Sequence, residues 1–368
     1  MQYNNLTRRL DGVDLLRGLA IFFVLMNHIN MRLYLAKVPY TEGIPASLVS
    51  ALVWNGQFGV QIFFAISGFL ITMSALQRWG TLSRVDLRDF YWLRFARIAP
   101  LLLLLLTILS ALHLAQLKDF VISAEHGGLG RALFAALTFQ VNLLEAQRGY
   151  LPGNWDILWS LSIEEMFYLF FPLLCRFLGR GKLLIWVLLT FVVLGPFSRT
   201  VFAHDELWRE YSYLGGMDAI ALGCLTAMLV TRIHFSPRVL CILVGGGAAI
   251  LIAILGFSRV IDMRSLGNSG LDMTFLAMGT CMMIAAAAHT EWKSPRLLNP
   301  LRMLGQRSYE VYLTHMFVVY ALFNLFVSQG SPMSVVPILF AAVLLIAAVF
   351  GDAVARLYSD PLNKLLRT

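Results

Sequence analysis

The sequence predicts an all-α polytopic membrane protein of about ten transmembrane helices with both termini cytoplasmic, and three observations predict it. Of the 368 residues, 58% are hydrophobic and 14% charged, whereas a soluble domain carries about a quarter charged residues. Runs of about 20 apolar residues recur, each long enough to cross a bilayer's hydrocarbon at about 1.5 Å per residue. Lys and Arg are also divided unevenly between alternate connections, which orients the chain.

The runs fall near residues 13–33, 52–76, 98–115, 155–177, 183–203, 213–231, 239–257, 271–289, 308–327 and 335–355. With the N-terminus inside, the inner segments hold 20 of the 29 Lys and Arg and the outer ones 9. The first run follows Arg8 and Arg9 as the apolar part of a secretory signal would. It carries Asn27, His28, Asn30 and Arg32 where a small-residue cleavage site should stand, so it is expected to span. Residues 131–145 are expected to form a helix lying at or dipping into the outer face, because an eleventh span there would place Arg176, Arg180 and Lys182 outside.

Composition also excludes function classes. The net charge of +8 could suit nucleic acid, but the basic residues form no single patch with interleaved aromatics, and topology accounts for them better. Cys175, Cys224, Cys241 and Cys281 lie inside apolar runs without metal-ligand spacing and read as small buried hydrophobes, so no metal site is expected.

Polar groups within hydrocarbon are costly, so each one marks a candidate site. On the first span, Asp14 precedes Arg17 by three residues and can neutralise it, and His28 follows Arg17 by eleven, close to three helical turns. Arg17 and His28 thus share a face about 16 Å apart along the axis. Taken alone, Arg17 could simply snorkel to the interface, whereas His28 in the outer half would need partners even if idle. On the fourth span, Trp-Ser-Leu-Ser-Ile-Glu-Glu-Met-Phe-Tyr ends on Tyr168, four residues after Glu164. Adjacent carboxylates point about 100° apart on a helix, so Glu164 is expected on the polar face with Tyr168 while Glu165 leaves it. Glu164 near the depth of His28 could fix the imidazole tautomer, though a helix-packing bond is the plainer reading.

Arg78, Arg84, Arg88, Arg94 and Arg97 crowd the connection between the second and third spans, as an inner loop commonly would. Arg94 and Arg97, three residues apart before Pro100, suit bidentate recognition of phosphate. Ser67 and Gly68 would let a thin ligand or another helix approach the second span closely. His315, about 10 Å into the ninth span, is expected at a different depth from His28, lining a passage or bonding a neighbouring helix.

In their order and spacing these pieces resemble the acyltransferase family 3 membrane proteins, bacterial enzymes that O-acylate surface polysaccharides, peptidoglycan, lipid-linked sugars or macrolides. The resemblance rests on the Arg17 to His28 spacing, Ser67-Gly68-Phe69, Arg94-x-x-Arg97, the Trp159 to Tyr168 block, Asp218 to Gly223 and Tyr312-Leu-Thr-His315. It implies one transmembrane acyltransferase domain over residues 1–368 in a bacterial inner membrane; some family members carry a further extracytoplasmic domain, and the expected departure here is that none is appended. It further implies acetyl-CoA or another acyl-CoA as donor, no permanently bound cofactor, a carbohydrate or lipid-linked glycan as acceptor, and no nucleic-acid partner. His28 would be the essential histidine with Arg17 its companion, and Arg94 and Arg97 would lie near the donor. The competing reading is a transporter or flippase without chemistry, although no matched repeat halves or paired broken spans are visible. An unrelated polytopic acyltransferase with a lipid or protein acceptor is the third.

Overall fold

A computed structural model describes residues 9–201, 206–258, 269–290 and 292–367. Among them every regular element is helical. In chain order these are α1 (Asp11–Leu35), α2 (Ala46–Val53), α3 (Gly56–Trp79), α4 (Leu87–Leu114), α5 (Gly128–Leu137) and α6 (Val141–Arg148). There follow α7 (Gly153–Asp156), α8 (Leu158–Leu178), α9 (Leu183–Thr200), α10 (Glu206–Tyr211), α11 (Tyr213–Val230) and α12 (Pro237–Gly256). The last are α13 (Leu271–His289), α14 (Asn299–Gln306), α15 (Ser308–Ser328), α16 (Val336–Val354) and α17 (Asp360–Arg367). Among the described residues ten helical stretches are long and apolar enough to cross a membrane, as the sequence predicts. The last two residues of the fifth expected span, 202 and 203, lie outside the described residues.

Two spans differ in outline from expectation. The second is broken at Trp54 and Asn55, where the buried Asn55 Nδ2 donates to Ala51 O and Leu255 O, both at 2.8 Å, tying the end of α2 to α12. The third begins at Leu87, eleven residues before the apolar run, because the Asp86 side chain caps it by accepting from the Asp89 N–H at 2.8 Å. Arg88, Arg94 and Arg97 therefore sit on helix α4 and not in a connecting loop.

Helix α3 is the spine, packing on α1, α11 and α13. Its contact with α11 is a backbone seam: a Cβ at Gly68 would strike the Ile220 carbonyl, and one at Gly223 would strike the Ala65 carbonyl. Deeper stiffness comes from Arg199 on α9, which bridges Asp218 on α11 at 2.7 Å with both side chains buried. Gln61 of α3 and Thr274 of α13 donate to the same carboxylate at 2.9 and 2.6 Å, so Asp218 ties four helices together. Such a pair costs heavily to break because it leaves a buried charge alone.

Residues 131–145 form no helix long enough to span, as expected, and they make parts of two short helices in place of one. They divide at Phe139, whose φ of 57° turns the chain from α5 into α6. The second helix is pinned into the protein: the Val141 N–H donates to Ser162 Oγ at 3.2 Å, and Asn142 Nδ2 donates to Tyr211 O at 3.0 Å. Glu145 is fully buried and accepts from the Leu151 N–H at 3.0 Å. Burial, then the neighbouring Asp156 carboxyl, raises the Glu145 carboxyl well above its usual range. A raised carboxyl stabilises the fold fully below its unfolded value and loses that contribution as pH rises through the folded one. The melting temperature of purified protein should therefore fall as pH rises above about 4.5, and Glu145→Gln should flatten that slope while keeping an acceptor for Leu151. Parallel pH profiles for the two proteins would contradict this.

Both the start of α1 and the end of α17 lie at one end of the bundle, called here the basic end. There Arg302 bonds Asp11 at 3.1 Å and Gln306 Nε2 donates to Asp14 at 2.9 Å, so α14 lies along the first turns of α1. Arg307 joins the start of α15 to Asp352 at 3.0 Å and Asp360 at 2.8 Å, fixing α17 beneath the bundle.

Candidate active site

Between α1, α3, α4, α8 and α15 lies a cavity of about 210 Å³ lined by Arg17, Arg94, Arg97, Glu164 and Glu165 among apolar and hydroxyl side chains. Five charged groups in one internal space would be unfavourable as packing alone. The helical spacings explain their convergence: Arg94 and Arg97 share a face of α4, and Glu164 shares one of α8 with Tyr168. Tyr168 donates to Glu164 at 2.5 Å and Ser67 donates to the same oxygen. Arg94 lies over the Tyr168 ring, 4.3 Å from its centroid. Arg97 is paired with the buried Glu310 at 3.5 Å and lies 5.3 Å from the Tyr309 ring centre.

Several expected roles change. Asp14 does not pair with Arg17: it accepts from Gln306, while Arg17 Nε donates to Ser308 Oγ at 3.0 Å. Glu165 does not leave the polar face, because the cavity wraps far enough round α8 to take both carboxylates, and its buried Oε1 has no hydrogen-bond partner. Gly68 faces Ile220 of α11 and not the cavity, so it serves helix packing, whereas its neighbour Ser67 lines the cavity. Asp218 belongs to the buried Arg199 network.

The largest correction concerns the histidines. No hydrogen bond links Glu164 to His28, since the carboxylate is engaged by Ser67 and Tyr168. The partner of His28 is His315: His315 Nε2 lies 3.4 Å from His28 Nδ1, and the ring centres are 4.9 Å apart. The depth expected from sequence fails because α14 is tucked along α1, so α15 starts level with Arg17, to which its first residue is bonded. From that level His315 stands about 10 Å along and His28 about 16 Å, a difference within reach of the long Arg17 side chain.

The tautomers follow from the acceptors. His28 Nδ1 lies 2.8 Å from the Val24 carbonyl, and His315 Nδ1 lies 2.7 Å from the Tyr312 carbonyl. A carbonyl only accepts, so each Nδ1 carries the proton and each Nε2 keeps a lone pair. His315 Nε2 faces the His28 N–H, and His28 Nε2 has no hydrogen-bond partner among the described residues. His315 stands three residues beyond Tyr312, which lines the cavity and whose hydroxyl lies 2.6 Å from Ser160 Oγ. The pair is thus set just past the cavity's inner limit.

At the basic end, a second space of about 580 Å³ shares Leu70, Arg94 and Arg97 with the first. Towards the opposite end, a third of about 720 Å³, lined by Trp54, Gln57, Gln61 and Asp272, meets the first at Phe64. Among the described residues no three His, Cys, Asp or Glu converge as metal ligands. Sequence reasoning named Tyr312 only within the Tyr312-Leu-Thr-His315 piece and gave no role to it, Tyr309 or Glu310, although all three lie in the segment that ends on His315.

A family model described as an acyltransferase domain matches residues 10–352. Among curated relatives, the O-acetyltransferase OatA of Staphylococcus aureus strain NCTC 8325 is 25% identical over 373 residues, covering 97% of this chain and 58% of that protein. OatA of strain COL gives the same figures. The chain therefore spans less than two thirds of the length of these relatives. No solved structure matches it.

Proposed function

The chain belongs to the acyltransferase 3 family, and on that footing we propose that it is a multi-pass O-acetyltransferase of a bacterial inner membrane. In this reading it carries acetyl from cytoplasmic acetyl-CoA to a hydroxyl of a cell-surface carbohydrate or its lipid-linked precursor. The observation that supports it most is the sequence of spaces: an arginine-lined cavity shares Arg94 and Arg97 with the space at the basic end and is lined further in by Tyr312, three residues from a histidine pair whose His28 Nε2 is left without a proton by the bond from Nδ1 to Val24.

The basic end faces the cytoplasm, as the Lys and Arg distribution favours. Arg94 and Arg97 hold the donor's phosphates, and the thin pantetheine arm runs past Arg17 and Ser67 towards Tyr312. The acceptor approaches from the opposite end, where the larger space offers the aromatic, amide and carboxylate groups that suit a sugar. His28 Nε2 takes the hydroxyl proton as that oxygen attacks the thioester carbonyl. The C–S bond then breaks, and the imidazolium returns the proton to the leaving thiolate, giving ester and free CoA. The Val24 carbonyl, which accepts the His28 Nδ1–H at 2.8 Å, holds the ring in this tautomer, and His315 Nε2, 3.4 Å from the same nitrogen, packs beside it as a weaker second acceptor, in the orienting role sequence assigned to Glu164. Glu164 instead balances Arg94 and Arg17 across the donor passage.

The test is product identity. Membranes containing the protein, supplied with labelled acetyl-CoA, should yield a labelled glycan ester that mild alkali releases as acetate. Label found in lipid acyl chains or protein alone would replace the carbohydrate acceptor with another.

A further inference from the structure

We propose that α17 completes the donor site: Arg367 and Arg78 bind the 3′-phosphate of the CoA adenosine, beside Trp79. The inference rests on the donor reading above and adds to it a recognition element that neither the family match nor the arginine pair of α4 supplies.

The space of about 580 Å³ at the basic end is walled by three separate elements. Helix α3 brings Arg78 and Trp79, α4 brings Arg94 and Arg97, and α17 brings Arg367. Arg367 is placed there by its neighbour, since Trp92 Nε1 of α4 donates to Leu366 O at 2.7 Å. Leu357 and Leu365 stay 82% and 69% exposed, whereas Arg367 lines the space.

Four guanidinium groups lining one space repel one another unless an anion joins them. Asp89 meets Arg78 only at 3.4 Å with both side chains half exposed, and Glu310 answers Arg97. Arg94 shares the first cavity with Glu164 and Glu165, and Arg367 has no ion-pair partner among the described residues. The order of groups fits one end of CoA. Arg94 and Arg97 stand where the two spaces join, in position for the pyrophosphate that leads into the arm. Arg78, Arg367 and Trp79 line only the outer space, in position for the adenosine and its phosphomonoester, which carries about −1.5 to −2 charges. Forked guanidinium groups recognise such a dianion better than a point charge does.

Phosphate chemistry could also come from an anionic lipid headgroup, and the experiment separates the two sources. CoA and dephospho-CoA binding are measured by calorimetry on the full chain in discs of zwitterionic lipid. Wild type should bind CoA about tenfold or more tightly than dephospho-CoA, the difference expected of a charged hydrogen-bonded contact. Arg367→Ala should weaken CoA alone and bind the two ligands alike, and Arg367→Lys should keep part of the preference. In discs containing phosphatidylglycerol the wild-type preference should persist. An undiminished preference in Arg367→Ala, equal weakening of both ligands, or no preference in wild type overturns the assignment while leaving the donor reading intact. Loss of the preference only with phosphatidylglycerol gives the cluster to lipid and overturns it too. Wild type that binds neither ligand sinks the donor reading itself.

Discussion

His28→Ala is expected to lower acetyl transfer by about 10² to 10⁴, the usual worth of a general base. Acyl-CoA should still bind at the basic end. The imidazole is the group whose Nε2 is left free by the bond from Nδ1 to the Val24 carbonyl, and a water-poor site offers no substitute. Donor binding should survive because Arg94 and Arg97 stand about three helical turns nearer the basic end, at the level of Arg17. His315→Ala should fall between wild type and His28→Ala, since it removes an orienting partner and not the base. Its rate should recover in part with Gln, which can again accept the His28 N–H. Near-normal product from His28→Ala would make the histidine pair a packing device, and loss of CoA binding would place the base elsewhere.

The second large effect concerns the donor. Changing both Arg94 and Arg97 to Lys should raise the apparent KM for acyl-CoA by about tenfold or more, with kcat less affected, although formal charge is kept. Each arginine lies over a tyrosine: Arg94 is 4.3 Å from the Tyr168 ring centre and Arg97 5.3 Å from that of Tyr309. A lysine loses both the fork and much of that stacking. Unchanged donor kinetics in the double variant would reduce these residues to determinants of topology.

The spans were legible because hydrocarbon demands long apolar runs, and the one further candidate, residues 131–145, was set aside by the Lys and Arg distribution. What escaped was structure set by polar contacts at their ends. The Asp86 cap starts α4 eleven residues early, and Asn55 breaks the second span inside the expected run. Within one helix, spacing located the site: Arg94 with Arg97 and Glu164 with Tyr168 meet the cavity as their periods require. Between helices spacing is silent. His315 and His28 were assigned different depths because each was measured from its own helix end, and only α14 lying along α1 shows that those ends are offset. Gly68 illustrates the same limit, since a small residue reads alike whether a ligand or, as here, the Ile220 backbone fills the space. Arg367 had no local signal at all, being one basic residue at the tip of a short helix nearly three hundred positions from Arg78.

The central claim is that chemistry, and not passage alone, joins the two faces of this protein. It is tested most directly in sealed vesicles that expose the basic end outward and hold the glycan acceptor inside, with acetyl-labelled CoA added outside. The account predicts that label enters only as the ester, that one CoA thiol is freed outside for each ester formed, and that His28→Ala stops both together. Entry of intact acetyl-CoA, or of label without release of thiol, would contradict it and make the chain a carrier.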